Sequence, residues 1–145
     1  MLYKTILVAV DFSTSADDVI QRTLGLREKN ARLIITHVVD HLPPLGFGEE
    51  PLIAPDWMIP EQTLLDEAKK SLAKLCEKHQ LSDVEQRVTL GTAHYEITTI
   101  AADENCDLIV LGSHGRHGVR LLLGSTANGV LHHAKCDVLA VRIKD

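Results

Sequence analysis

Short unbroken apolar runs alternate along this chain with longer stretches in which apolar residues return every third or fourth position. The first pattern predicts strands buried on both faces, and the second predicts helices with one apolar stripe. The first run is Thr5-Ile6-Leu7-Val8-Ala9-Val10, and Asp11 ends it. Ser13, Thr14 and Ser15 follow, each able to cap a helix. Ala16, Ile20, Thr23, Leu24 and Arg27 then recur at helical spacing, with Asn30 as the expected stop. A second strand is predicted over 33–39. Pro60 opens a helix with the stripe Leu64, Leu65, Ala68, Leu72 and Leu75. Residues 84–90 alternate more cleanly, with Glu85 and Arg87 opposite Val88 and Leu90, as in an edge strand with one wet face. Gly91-Thr92 leads into a helix carrying Ile97, Ile100 and Ala101. A fourth strand is expected over 108–111, a helix over 127–135 and a fifth strand over 138–143.

Strands alternating with helices, and central strands without polar positions, imply an α/β fold. Its core is an open five-stranded parallel sheet with helices on both faces. Right-handed crossovers leave few topologies, and the commonest has strand order 3-2-1-4-5. A crevice then opens at the carboxyl ends of strands 1 and 4, where the strand order reverses. Asp11 and Gly112 lie just past those ends, so they would face each other across one ligand site.

Composition narrows the classes. The chain has 145 residues, suited to a single domain over 1–145. Its apolar content of 45% with only 3% aromatics calls for an aliphatic core. A net charge of −5 with no block of Lys and Arg argues against nucleic acid as a partner. No apolar run is long enough for a membrane span, and the N-terminal residues carry no pattern of a secretory signal. Cys76, Cys106 and Cys136 are widely spaced and odd in number, which suits free thiols in a reducing cytoplasm.

The densest chemistry lies between Gly112 and Thr126, GSHGRHGVRLLLGST. A strand that runs into a glycine-rich turn and then a helix can hold phosphate. Glycines let backbone N–H groups approach the anion, and the helix N-terminus adds unpaired donors. Ser125 or Thr126 falls where a side chain would cap that helix or donate to a phosphate. Asp11, at the end of the first strand, can accept hydrogen bonds from two ribose hydroxyls. It could equally cap the next helix with Ser13. No G-x-x-x-x-G-K-[ST] or intact G-x-G-x-x-G is present, so neither a P-loop NTPase nor a standard dinucleotide reader is supported. His114 and His117 flank the glycines without a neighbouring carboxylate to orient them, which favours hydrogen bonding to ligand or water over acid–base work. His114, His117, His132, His133 and Cys136 fit no established metal-ligand spacing. Gly129 inside the last helix costs about 1 kcal/mol relative to Ala, a sign of close packing there.

Taken together, 6–13, 37–39, 107–116, Gly124-Ser125-Thr126 and 136–142 make the chain resemble the universal stress protein family from end to end. The resemblance implies the Rossmann-like, adenine nucleotide alpha hydrolase-like fold. It implies a stress-response or signalling module that binds ATP, with AMP or ADP as alternatives and Mg accompanying ATP, and with at most very slow hydrolysis. Asp11 would hold the ribose, and backbone around Ala9 and Val38 would meet adenine. Leu111, Gly112, Gly115, Gly124, Ser125 and Thr126 would line the phosphate path, with His114 and Arg116 beside it. The loop 116–123 is one residue shorter than in nucleotide-binding members. That departure keeps open a second reading, a dimeric stress-response interaction protein that does not bind nucleotide. An adenine-nucleotide hydrolase is a third, disfavoured by the absence of a visible catalytic acid or metal cluster.

Two further segments point to surfaces. All five prolines and the only tryptophan, Trp57, fall within 40–60, a long connection after the second strand. It emerges on the ligand side and would cover the adenine end, meet a partner, or stand as a surface loop. The fifth strand is apolar on both faces and should lie at the sheet edge, where unpaired backbone groups invite another strand. The resemblance implies a homodimer through 138–143, paired antiparallel about a two-fold axis. A proline at Val141 would be expected to remove a ladder donor from that edge.

Overall fold

The structure is a computed structural model that describes residues 3–40, 60–113 and 124–143. Its elements run β1 (Thr5–Ala9), α1 (Ala16–Leu26), β2 (Arg32–Val39), α2 (Glu61–Lys78), β3 (Glu85–Leu90), α3 (Ala93–Asp103), β4 (Leu108–Gly112), α4 (Ser125–His133) and β5 (Asp137–Val141). The sheet order is β3-β2-β1-β4-β5 and every pairing is parallel. This is the Rossmann-like α/β architecture expected from the sequence.

Strand periodicity divides the core in two. Ile6, Val8, Leu33, Ile35, Leu108 and Val110 point to one face, where α1 supplies Val19 and Ile20 and α2 supplies Leu72 and Cys76. Leu7, Ala9, Ile34, Ile109 and Leu111 point to the other, against Ile97, Ile100 and Ala101 of α3 and Ala127 and Val130 of α4. Ile6, Leu7, Ile34, Ile35 and Ile109 are fully buried. Each such side chain contributes about 1.5–3 kcal/mol of apolar burial.

Two helices, α1 and α4, depart at their ends from the sequence expectation, α4 stopping at His133 rather than at 135. α1 stops at Leu26, before Asn30, because Arg27 leaves the helix and its guanidinium donates to the Ala31 carbonyl at 3.1 and 3.2 Å. α2 and α3 both end in a left-handed residue, Gln80 (φ 61°) and Asn105 (φ 53°). Leu81 N donates to the Cys76 carbonyl and Gln80 N to that of Glu77, while Cys106 N donates to Ala101 and Asn105 N to Ala102. These paired bonds satisfy carbonyls that a helix end leaves open, the arrangement of a Schellman motif. α4 begins at Ser125, earlier than expected. Its cap is Gly124, and neither Ser125 nor Thr126 caps it with a side chain.

β5 ends at Val141 rather than at 143. The Val141 carbonyl accepts Ser113 N at 2.8 Å, so Val141 turns its backbone toward β4. Alternation along a parallel strand then turns the N–H groups of Val138 and Ala140 to the open side. A proline at Val141 would therefore break the β4 ladder instead of the outer edge. At the opposite end of the strands, Arg32 bridges Glu85 and Glu104 at 2.5 and 2.7 Å, and Arg87 meets Glu104 at 2.8 Å. This pins β2, β3 and the end of α3 away from the ligand side.

Candidate functional site

A cavity of about 310 Å³ opens where the strand order reverses. Eight of the residues singled out from the sequence line it: Ala9, Asp11, Val38, Leu111, Gly112, Gly124, Ser125 and Thr126. Asp11 and Gly112 meet there as the topology requires. His114, Gly115 and Arg116 lie outside the described residues, as do 41–59 and the rest of the loop 116–123.

The two ends of the glycine-rich loop are tied by Gly124 N donating to the Ser113 carbonyl at 2.7 Å. That bond sets the start of α4 against the end of β4. The first-turn N–H groups of α4 have no partner within the helix, and Gly124, Ser125, Thr126 and Ala127 all line the cavity. This end carries the positive pole of the helix dipole and has no acidic residue in its first turn. An end of this kind favours a negative charge.

Across the cavity, Asp11 is held by its neighbours. Its Oδ1 accepts Ser13 N at 3.1 Å and Ser13 Oγ at 2.5 Å. Ser13 Oγ in turn lies 2.6 Å from Ser15 Oγ. Asp11 does not cap α1, whose N-cap is Ser15 with no side-chain cap bond. The carboxylate does fix the turn into α1, and it also lines the cavity.

Apolar and polar side chains make up the remaining wall. Ala93 and Ile97 of α3 close the side next to Val38. His37 accompanies them, its Nδ1 2.8 Å from the Val10 carbonyl and its ring 4.1 Å from that of Phe12. Thr36 is fully buried and donates to the Arg87 carbonyl at 3.0 Å. Sequence reasoning missed Ser15, His37, Ala93 and Ile97 as lining residues. Ala93 and Ile97 carried a signal, being four apart at the start of a helix after an edge strand. His37 lay in a segment that carried the resemblance, but only Val38 of that segment was read as a site residue.

The described cysteines are not activated. Burial pushes the Cys106 thiol up to about 11, and burial also raises Cys76 and Cys136. No helix among the described residues is long and apolar enough to cross a membrane.

An open parallel sheet with a cavity at its switch point, bounded by a carboxylate on one side and a helix N-terminus on the other, defines the Rossmann-like class of ligand-site domain. The profile of the Universal stress protein family matches residues 2–142, and the chain belongs to that family. It is 42% identical to Universal stress protein A homolog 2 of Coxiella burnetii over 98% of this chain and 97% of that protein. The solved structure of universal stress protein UspA from Lactobacillus plantarum superposes with a TM-score of 0.73 at 25% identity, covering 98% and 99% of the two chains. A universal stress protein solved in complex with cAMP superposes with a TM-score of 0.59 at 28% identity, covering 97% and 98%.

Proposed function

We propose that this chain is a single universal stress protein domain over 1–145 that binds an adenine nucleotide, ATP before AMP or ADP, in the switch-point cavity. The carrying observation is the convergence of Asp11 and the α4 N-terminus across one cavity of about 310 Å³. That volume lies at the lower end of the range of about 300–1,000 Å³ typical of small-molecule sites. The apolar patch of Ala9, Val38, Ala93 and Ile97 suits a flat base. Asp11 suits ribose hydroxyls, and Gly124, Ser125 and Thr126 suit phosphate. A universal stress protein solved in complex with cAMP supports an adenine nucleotide as the class of ligand. Mg accompanies ATP through its phosphates.

Titration calorimetry with ATP and Mg tests this. Wild type should bind, and Asp11→Ala should lose about 1.5–3 kcal/mol by removing charge-assisted hydrogen bonds. No heat of binding at millimolar ATP would refute the reading. It would favour the alternative that the shortened loop 116–123 supports, an interaction protein without nucleotide.

The module works with little or no turnover, as a cytoplasmic homodimer in the stress response. Among the described cavity residues the one carboxylate, Asp11, is tied to Ser13 at the α1 end, across the cavity from the α4 end that suits phosphate. Phosphate release from ATP should fall far below the usual enzyme range of about 1–1,000 per second. A rate inside that range, abolished by Asp11→Ala or by a change at His114, would overturn this part.

A further inference from the structure

We infer that Ser13 and Ser15 make the Asp11 end of the cavity an acceptor-only wall, with Ser15 as a second ligand-binding residue that selects a free vicinal diol. The inference rests on the nucleotide reading above and deepens it. It follows from where the protons go. A carboxylate only accepts, so Ser13 Oγ must donate its single proton to Asp11 Oδ1. At 2.6 Å from Ser13 Oγ, Ser15 Oγ must then be the donor in the second bond. Ser15 thereby spends its only proton on Ser13, and its hydroxyl keeps only lone pairs for anything else.

Ser15 is buried, at 8% exposure, and lines the cavity beside Asp11. It stands at the N-cap of α1 but makes no side-chain cap bond. Its remaining lone pairs are therefore not spent on the helix. Asp11 Oδ1 already holds two bonds from Ser13, while Oδ2 has no hydrogen bond among the described residues. The side chains of this wall offer a carboxylate oxygen and a hydroxyl lone pair, and no proton. A ligand must bring protons to both, as two adjacent sugar hydroxyls do.

The same polarity excludes an anion. Asp17 and Asp18 occupy the first turn of α1, whereas the first turn of α4 has no acidic residue. Of the two helix N-termini at this cavity, that of α4 is the one whose first turn carries no carboxylate, and it suits the phosphates. The ligand is thus oriented, hydroxyls to α1 and phosphates to α4. Ser13 acts as a positioning residue that holds Asp11, and Ser15 as a direct acceptor.

Calorimetry on the full chain distinguishes the outcomes. Wild type is titrated with ATP, 2′-deoxy-ATP and 3′-deoxy-ATP, and with AMP against adenosine 3′,5′-bisphosphate. Loss of either hydroxyl should weaken binding by about tenfold, since it leaves a buried acceptor unpaired. The bisphosphate should bind more weakly than AMP despite its added charge. Ser15→Ala should weaken ATP by about tenfold and abolish the penalty for one of the two deoxy sugars. Ser13→Ala should reduce both penalties, and Ser13→Thr, which keeps the hydroxyl, should restore them. A melting curve on each variant checks folding, and the wild-type ligand series stands without the variants. If wild type binds ATP but takes the deoxy sugars or the bisphosphate equally well, this inference is overturned and the nucleotide reading survives. If wild type binds no adenine nucleotide, both fail.

Discussion

Replacing Gly129 by alanine measures how closely α3 and α4 are held beside the cavity. A Cβ at position 129 would lie 2.6 Å from Cγ, 2.7 Å from Cβ and 3.0 Å from Nδ1 of His94. Carbon atoms attract best at about 3.5–4.0 Å, so the two groups must part by roughly 1 Å. Turning the imidazole relieves Cγ and Nδ1, but the His94 Cβ moves only with the backbone of α3. The ring is also stacked on that of His133, centroids 5.4 Å apart. Overpacking costs about 1–3 kcal/mol, and a contact between two backbone-fixed Cβ atoms belongs in the upper half of that range. Alanine returns about 1 kcal/mol of helix propensity. The net expectation is a loss of about 1–2 kcal/mol.

Gly25 in α1 is the internal control, because a Cβ there meets nothing within 4 Å. Gly25→Ala should stabilise by up to about 1 kcal/mol. Urea denaturation followed by circular dichroism reads both variants. In the Gly129→Ala background, His94→Gly should recover more than His94→Ala, once its own effect in the wild-type background is subtracted, because only glycine removes the Cβ. A Gly129→Ala protein stabilised as much as Gly25→Ala would refute the close approach.

Two further outcomes follow from the same geometry. Ala140→Pro, which removes an outward-facing donor of β5, should convert a wild-type dimer to monomer in light scattering, and a wild-type monomer at high micromolar concentration would refute the dimer. On the acid side, Lys78 and His79 hold the Asp17 carboxyl below its usual range, Arg32 holds Glu85 below, and Arg32 with Arg87 holds Glu104 below. Groups depressed in the folded state stabilise it above their ordinary values near 4, and that contribution is lost as pH falls through the folded values. The urea midpoint should therefore fall below about pH 4, less steeply in Glu104→Gln, and a midpoint flat from neutral pH to pH 3 would contradict this.

Periodicity alone determined the element order, the parallel sheet and its strand order. Unbroken runs such as Ile6 to Val10 can bury both faces only between two helix layers, and right-handed crossovers then leave almost no choice. Topology in turn carried Asp11 and Gly112 to one crevice although about a hundred positions separate them, which is why most of the candidate site was legible. Tertiary structure decided what depends on atoms meeting across elements. Whether Ser15 caps α1 or faces a cavity is settled by a chain of side-chain bonds back to Asp11, which no spacing encodes. Arg27 reads as helical by its stripe, yet the Ala31 carbonyl draws it out. Gly129 reads only as a weak point in a helix until His94, from another helix, is found where its Cβ would be. Val141 and Ala140 are alike in sequence, and only the register against β4 says which one faces outward. A sequence pattern specifies which face an element buries, whereas direction, register and proton placement arise from contacts made only after the elements pack.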